Sequence, residues 1–259
     1  MKDGINYYKN NKKYELFLSR VDTNLYSKYI QSVIFSFSNE KSIKFLDVGC
    51  GVGTVARLVS SGDSKIKPYG IDVSENFVKK AQVGKGNFRV FDGKKIPFKN
   101  GSFDVVGCFT VLEHVENPVQ ILREIVRVTK PGGRIIVAGP SFLRVFGFSA
   151  THWRTKGLLN PIKNLAIDIY KYLQTIFSPK DLKFRFMKQL VRDDFQADDD
   201  AICETNMIDV RHFLKSFGVD IQYQSGLVDF HCSPAINKFS EIPIIRDLTG
   251  GYFIMGVKK

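Results

Sequence analysis

Three glycines at alternating positions mark the stretch of this chain with the clearest chemical use. Gly49, Gly51 and Gly53 follow the apolar run Ile43–Val48 and precede the helix-like run Thr54–Val59. Glycine is needed where the backbone takes a positive φ or approaches a ligand closely, and a helix that begins there points free N–H groups at the ligand. The order strand, glycine turn, helix therefore predicts a ligand site, although an ordinary βα turn has the same pattern. The G-x-G-x-G spacing differs from the G-x-G-x-x-G of dinucleotide-binding enzymes.

Polar residues also stand where later strands are predicted to end. Asp72 closes the second predicted strand, about 20 residues past the glycine turn, where an acid can accept two hydrogen bonds from ribose hydroxyls. Asp92-Gly93 closes the third strand, and Phe109 with Glu113-His114 follows the fourth. Ligands of doubly wound sheets bind outside the carboxyl ends of the strands, so these are candidate site residues. Helix capping or a turn role is the alternative for the two aspartates.

The elements that must position these residues alternate between strand and helix from residue 43 to 139. The predicted strands are Ile43–Val48, Pro68–Val73, Phe88–Phe91, Phe103–Phe109 and Arg134–Ala138, with later strands at Val219–Gln224 and Tyr252–Val257. The predicted helices are Thr54–Ser60, Glu75–Val83, Val119–Thr129 and Met207–Phe217, with a turn at Lys130-Pro131-Gly132-Gly133. This alternation, with continuous apolar strands, indicates a parallel sheet covered by helices on both faces.

The composition fits one large α/β domain with an insertion, because 259 residues with 44% hydrophobic side chains can bury a substantial core. A formal net charge of +12 is typical of proteins that contact nucleic acid or anionic membranes, and equally of a solvated basic surface. We expect neither a signal peptide nor a membrane-spanning helix, because the sequence contains no fitting apolar run. The cysteines lack metal-binding spacing, which predicts reduced thiols and a cytoplasmic location, at Cys50, Cys108, Cys203 and Cys232.

Two segments depart from the alternation. Residues 1–42 carry apolar side chains at steps of three and four, which predicts an N-terminal helical segment. Residues 141–206 carry a helical stripe from Ile162 to Ile176 and are predicted to be an insertion after the fifth strand. Ten Lys or Arg stand between Phe142 and Arg192 against two acids, and Asp198-Asp199-Asp200 follow. We interpret this acidic run as a solvated turn or helix cap rather than a metal site.

Six stretches between residues 43 and 139 come in a characteristic order. They are Leu46-Asp47-Val48-Gly49-Cys50-Gly51-Val52-Gly53, Gly70-Ile71-Asp72-Val73-Ser74, Asp92-Gly93 with Ile96-Pro97-Phe98, Ser102-Phe103-Asp104-Val105-Val106, Val111-Leu112-Glu113-His114-Val115 and Arg127-Val128-Thr129-Lys130-Pro131-Gly132-Gly133. Together they resemble the class I S-adenosylmethionine-dependent methyltransferases, in the subgroup that acts on small molecules, glycans and quinones. The resemblance implies a doubly wound, Rossmann-like, mostly parallel seven-stranded sheet with helices on both faces and an antiparallel last strand. Residues 43–259 would form the methyltransferase domain, and residues 141–206 would be its helical substrate cap.

The resemblance also implies roles toward S-adenosylmethionine. The glycine turn, with Gly49, Gly51, Gly53 and the preceding Asp47, would cradle the methionine part of the cofactor. Asp72 would hold the ribose hydroxyls, and Val73 would lie against the adenine. Asp92 would accept from the adenine amino group, with Gly93 contributing backbone, and Phe109 would offer its backbone carbonyl to the cofactor's amine. Asp104 begins a strand at the far end of the sheet, so we expect a structural role there.

Methyl transfer to a hydroxyl requires positioning of the acceptor and removal of its proton. His114 is the candidate general base, with Glu113 beside it; a structural histidine that caps the next helix is the alternative. Similar quinone enzymes read Glu-x-x-Glu-His at this place and use those side chains around a divalent metal. This chain has Thr110 where the first Glu would stand, so we expect no metal.

The acceptor stays open at this stage. The basic and aromatic 142–192 segment favours an anionic or amphiphilic acceptor, and we prefer a hydroxyl of a small molecule, a sugar or glycan, or a lipid-linked sugar. Contact of this segment with an anionic membrane is a second hypothesis, and methylation of RNA or protein is a third. A non-catalytic S-adenosylmethionine-binding module is a fourth. If His114 is not the base, His152 or no base at all are the alternatives.

Overall fold

The computed structural model describes residues 42–61, 64–143, 160–189, 199–226 and 251–259. The predicted N-terminal segment 1–42, apart from its last residue, and His152, Asp198 and Cys232 lie outside these residues. The strands are β1 (Ile43–Val48), β2 (Ile66–Asp72), β3 (Asn87–Val90), β4 (Phe103–Phe109), β5 (Thr129–Pro140), β6 (Arg185–Phe186), β7 (Cys203–Glu204), β8 (Val219–Ser225) and β9 (Gly251–Lys258). The α-helices are α1 (Thr54–Ser61), α2 (Glu75–Ala81), α3 (Pro118–Val128), α4 (Asn160–Phe177) and α5 (Met207–Ser216), with 3-10 helices at Leu112–His114 and Pro179–Asp181.

Seven strands form one sheet in the order β3-β2-β1-β4-β5-β9-β8, and β6 pairs with β7 separately. β1 runs parallel to both β2 and β4, and its last residue, Val48, lies opposite Ile71 on one side and Cys108 on the other. β9 is antiparallel, so the expected mostly parallel, Rossmann-like sheet is confirmed. Because the chain reverses its direction of addition between β1 and β4, the carboxyl end of β1 lies at the switch point where such sheets bind ligands.

The strands are buried because they are apolar along most of their length. Phe45, Leu46, Ile71 and Val105 have no exposed surface, and in β5 the run from Ile135 to Ala138 is equally buried. A buried strand of this kind needs cover on both faces, which the surrounding helices supply. Each such side chain contributes about 1.5–3 kcal/mol by leaving water.

Most predicted element boundaries lie within two residues of those observed. The exception is β5, which begins at Thr129 rather than at Arg134. The predicted turn at residues 130–133 survives only as one left-handed position, Gly132 at φ 74°, inside the longer strand. The side chains of Cys50, Cys108 and Cys203 are buried.

The chain divides into two compact units. The first comprises the described residues up to Phe109 together with Arg123–Ile136 and Val257–Lys259. Within it, the Arg127 guanidinium donates to the carbonyls of Ile96 and Phe98, both at 2.8 Å, and so fixes the loop after β3. Asp104 accepts from the backbone N–H of Lys44 at 2.8 Å and pairs with Lys130, which confirms its structural role.

The second unit comprises Thr110–Leu122 and the described residues from Val137 to Gly256. Here α4 is tied to α5 by a buried ion pair, because Lys171 Nζ lies 2.6 Å from both carboxylate oxygens of Asp209. Asn206 caps α5 by accepting from the Asp209 N–H at 2.9 Å. The apolar stripe of α4, in contrast, is exposed at Ile162, Leu165, Ile169, Leu173 and Ile176. None of the described helices is long and apolar enough to cross a membrane.

Candidate functional site

The glycine turn between β1 and α1 has the left-handed backbone that its sequence predicted. Gly49, Gly51 and Gly53 have φ values of 76°, 51° and 78°. A side chain at Gly53 is also excluded by packing, because its Cβ would lie 2.8 Å from Cε1 of Phe88. The turn is held to β2 by the N–H groups of Gly49 and Cys50, which donate to the Ile71 carbonyl at 2.8 and 3.0 Å.

Asp72 lies at the end of β2 directly beside this turn. Its Oδ2 accepts from the Gly51 N–H at 2.8 Å, and its Oδ1 accepts from the Ser74 N–H at 2.9 Å. Burial raises the pKa of Asp72, and these backbone N–H groups oppose the shift. Each carboxylate oxygen has two lone pairs, so Asp72 can accept one further hydrogen bond on each oxygen. That capacity matches two neighbouring hydroxyls of a ribose. Its bonds within the protein also give it a turn role.

Asp47 is a second buried acid of the first unit with a raised pKa. It is buried, with 3% of its surface exposed, at the end of β1. Burial first, and the charge of Asp72 second, raise the pKa of Asp47 from 3.8 to about 7. An acid of this kind is a candidate ligand-binding group, because a cation bound beside it would relieve both effects.

Asp92 differs from the other two acids because it is exposed. Its Oδ1 accepts from the N–H groups of Lys94 and Lys95, both at 2.8 Å. The Lys95 and Lys94 N–H groups hold the pKa of Asp92 below its ordinary value. Asp92 therefore has the turn role that was its alternative, through Oδ1. If Asp92 also binds an adenine amino group, Oδ2 is the oxygen that would accept the hydrogen bond. Gly93 follows with a positive φ of 75°.

The remaining residues predicted for the cofactor are Val73, which is half-buried, and Phe109, which is buried at the end of β4. Immediately after Phe109, Thr110 has a φ of 52°, the one positive value among the non-glycine residues that the structure describes. Such strain concentrates at functional sites. The Thr110 N–H donates to the Ala138 carbonyl at 2.9 Å, which holds this backbone in place.

In the second unit, His114 lies between two buried carboxylates. Its Nε2 lies 3.7 Å from Glu113 Oε1, and its Nδ1 lies 3.5 Å from Asp200 Oδ2. The side chain of His114 is 13% exposed, while those of the acids are 1% and 2% exposed. His114 is the last residue of a 3-10 helix, Leu112–His114.

The interpretation of the acidic run as a solvated turn or helix cap was wrong for Asp199 and Asp200, which are 1% and 3% exposed. The physical reason is tertiary: the segment that carries them lies against the 3-10 helix, where Ile202 N–H donates to the Glu113 carbonyl at 2.8 Å. Sequence reasoning missed Asp200 as a partner of His114. The only signal for it was the run of acids, which did not say what they face.

The charge around His114 also differs from that of the basic segment. In the described part of the basic segment, the buried Lys171 is paired with Asp209, and the other lysines and arginines are exposed: Lys163, Lys180, Lys183, Arg185 and Lys188.

Among the described residues, no group of three or more His, Cys, Asp or Glu has the arrangement of a metal site.

Part of this chain is similar in sequence to known methyltransferases. Residues 46–137 match a methyltransferase domain family. Norajmaline N-methyltransferase of Rauvolfia serpentina is 34% identical over 112 residues, 40% of this chain and 38% of that protein. Tocopherol O-methyltransferase of Arabidopsis thaliana is 36% identical over 107 residues, 38% of this chain and 30% of that protein. These matches thus span less than half the length of either relative.

The fold comparison reaches further along the chain. A crystal structure of an S-adenosylmethionine-dependent methyltransferase from Aquifex aeolicus superposes with a TM-score of 0.53 at 15% identity, and covers 96% of this chain and 100% of that one. The glycine turn, Asp72 and Asp92 all lie within the matched residues 46–137. Residues 46–137 are therefore similar in sequence to a methyltransferase domain family, and the sheet has the fold of the Aquifex aeolicus S-adenosylmethionine-dependent methyltransferase.

Proposed function

We propose that this chain is an S-adenosylmethionine-dependent methyltransferase that acts on a small-molecule acceptor. The observation that carries the proposal is the hydrogen bond from Gly51 N–H to Asp72 Oδ2, at 2.8 Å. It joins the glycine turn to the acid of the neighbouring strand, inside the residues that match the methyltransferase domain. The names of the two relatives, an alkaloid N-methyltransferase and a tocopherol O-methyltransferase, support a small-molecule acceptor.

The residues of the first unit fit the cofactor chemically. Asp72 has accepting capacity for two ribose hydroxyls, and the left-handed glycines let a ligand approach the backbone closely. Asp47 is a buried acid that a cationic amine would stabilise in its charged form. When bound, the cofactor supplies a methyl group on a positively charged sulfur. Asp47, the glycine turn, Asp72, Val73, Asp92-Gly93 and Phe109 are the residues that we propose to hold it.

We infer that the acceptor group is a neutral hydroxyl of a small molecule or glycan. A hydroxyl must lose a proton during methylation, and His114 is a base placed beside two carboxylates that stabilise its protonated form. Negative charge on both sides of His114 disfavours an anionic group there. The described lysines and arginines of the 142–192 segment are exposed or, like Lys171, paired with an acid. They therefore give no support to the hypothesis of an anionic acceptor.

Calorimetry on the purified chain tests cofactor binding. S-adenosylhomocysteine should bind, NAD should not, and Asp72→Ala should abolish binding because the two ribose hydrogen bonds are lost. Asp220→Ala, which removes an exposed acid from β8, is the matched control and should bind as wild type does. Unchanged affinity in Asp72→Ala would refute the ribose assignment.

Transfer of a labelled methyl group from the cofactor then identifies the acceptor class. Label in a small organic product supports the proposal, whereas label in RNA or protein supports the corresponding alternative. Tight cofactor binding with no labelled product in any cell extract would support a non-catalytic binding module. Mass spectrometry of the product distinguishes an oxygen-linked from a nitrogen-linked methyl group.

A further inference from the structure

We propose that Asp200 is a positioning residue for His114. Its carboxylate accepts the Nδ1 proton of the imidazole, and Nε2 is thereby left as the atom that takes a proton from the acceptor. The use of Nε2 rests on the proposed function, whereas the arrangement of the hydrogen bond does not. The two can therefore fail separately.

The contacts of the ring are the first support. Asp200 Oδ2 faces Nδ1 at 3.5 Å and Glu113 Oε1 faces Nε2 at 3.7 Å, so each nitrogen has one acid beside it. A neutral imidazole carries a single N–H, and the acceptor that faces one nitrogen decides which of them is protonated. The separation from Asp200 is the shorter of the two. It is a few tenths of an ångström longer than a hydrogen bond, as catalytic pairs often are before substrate binds.

The second support is that the structure holds Asp200 at this place. Its own carbonyl accepts from the Gln189 side-chain amide at 3.0 Å. Two residues later, the Ile202 N–H donates to the Glu113 carbonyl at 2.8 Å, next to His114 in sequence. Farther along, Thr205 donates through its hydroxyl to the Pro140 carbonyl at 2.9 Å. The segment is thus fixed to the 3-10 helix and to the end of β5, so Asp200 is pre-positioned rather than free to turn to solvent.

Glu113 is placed for a different task. A Cβ on Gly139 would lie 2.9 Å from the Tyr252 hydroxyl and 3.4 Å from Glu113 Oε2, so both polar groups occupy the space beside that glycine. Oε2 of Glu113 therefore lies beside Gly139, while its Oε1 lies on the Nε2 side of the ring. We assign to Glu113 the stabilisation of the charged imidazole that forms after proton transfer.

The resulting step balances. The acceptor oxygen would take the methyl group that a bound cofactor would supply, with the bonding electron pair left on the cofactor's sulfur, and its O–H proton would pass to Nε2 of His114. The imidazolium then lies between the carboxylates of Asp200 and Glu113, both of which favour its charge. No oxidant or further reactant is needed.

Nitrogen NMR tests the arrangement without any acceptor or cofactor. The chain has four histidines, and the His114 signals can be assigned in a long-range proton–nitrogen spectrum by their loss in His114→Gln. At about pH 9, where an ordinary histidine is neutral, we expect His114 in wild type to be protonated at Nδ1. In Asp200→Ala the Nδ1 acceptor is lost, and the proton should move wholly or partly to Nε2. Glu116→Gln, which removes an exposed acid two residues from His114, is the control and should leave the tautomer unchanged.

A wild-type spectrum with the proton on Nε2 would overturn the proposal, even if Asp200→Ala failed to fold. A folded Asp200→Ala protein that keeps the Nδ1 proton would overturn it as well. S-adenosylhomocysteine affinity in the variant checks the fold, because Asp200 lies outside the residues assigned to the cofactor. If the tautomer changes as expected but the wild-type chain methylates nothing, the positioning role stands and the proposed function fails.

Discussion

The raised pKa of Asp47, an acid that we propose to bind the cofactor, makes the stability of the folded chain depend on pH. In the folded chain, burial and the neighbouring Asp72 raise the pKa of Asp47 from 3.8 to about 7. The native state therefore keeps this proton over a pH range in which the unfolded chain has lost it. Because the folded chain binds this proton more tightly than the unfolded chain, protonated Asp47 contributes to the stability of the folded state. This contribution is complete below about pH 4 and is lost as pH rises through about 7.

The size of the effect follows from the shift. A difference of about 3 pKa units corresponds to about 4 kcal/mol of unfolding free energy at 1.36 kcal/mol per unit. About 2.5 kcal/mol of this is lost between pH 5 and pH 8, since the unfolded carboxyl has already ionised in part at pH 5. Asp47→Asn cannot ionise, so its stability should gain about 2.5 kcal/mol relative to wild type over the same interval.

Urea denaturation of wild type and Asp47→Asn at pH 5 and pH 8 measures this difference. Asp92→Asn is the control, because the Lys95 and Lys94 N–H groups lower the pKa of Asp92, so this acid is ionised in the folded and the unfolded chain at both pH values and its removal should cause no such pH-dependent difference. The same Asp47→Asn change should weaken S-adenosylhomocysteine binding, because it removes the charge that would face the cofactor's amine. If the stability difference between the two proteins is the same at both pH values, the account of Asp47 as a buried acid with a raised pKa is wrong.

Three further predictions concern single contacts. Lys171→Met leaves Asp209 buried without its cation and should lower the unfolding free energy, measured by urea denaturation, by about 3–5 kcal/mol. Lys180→Met removes an exposed lysine and should change the unfolding free energy little. An equal loss in both variants would contradict the ion-pair role. Gly53→Ala and Gly132→Ala both place a side chain at a positive φ, which costs about 1–2 kcal/mol. Only the Gly53→Ala side chain would also clash with Phe88, so this variant should show the larger loss of melting temperature. Similar losses in the two variants would refute the steric argument. His114→Ala should slow methyl transfer by about 10²–10⁴-fold with unchanged S-adenosylhomocysteine affinity; wild-type rates would exclude His114 as the base.

The sequence alone was sufficient for the sheet and for most of the first unit. Apolar strands, amphipathic helices and glycine turns are local patterns with a period and a length, so β1 and β4 were predicted to the residue. The glycine turn, Asp72 and Asp92 were likewise readable because the ends of parallel strands converge on one edge of a sheet whatever the rest of the chain does. Even β5 was predicted correctly in its core and failed only at its start.

What the tertiary structure alone decided is which side chains face each other across long stretches of sequence. The interpretation of Asp200 as a solvated acid rested on its polar neighbours, but the Ile202–Glu113 backbone bond carries it to His114, 86 residues earlier in the chain. In the same way, Lys171 belongs to a basic segment by composition and to a buried ion pair by its contact with Asp209. Burial and partners of charged residues are long-range properties, and a pattern of neighbouring residues does not contain them.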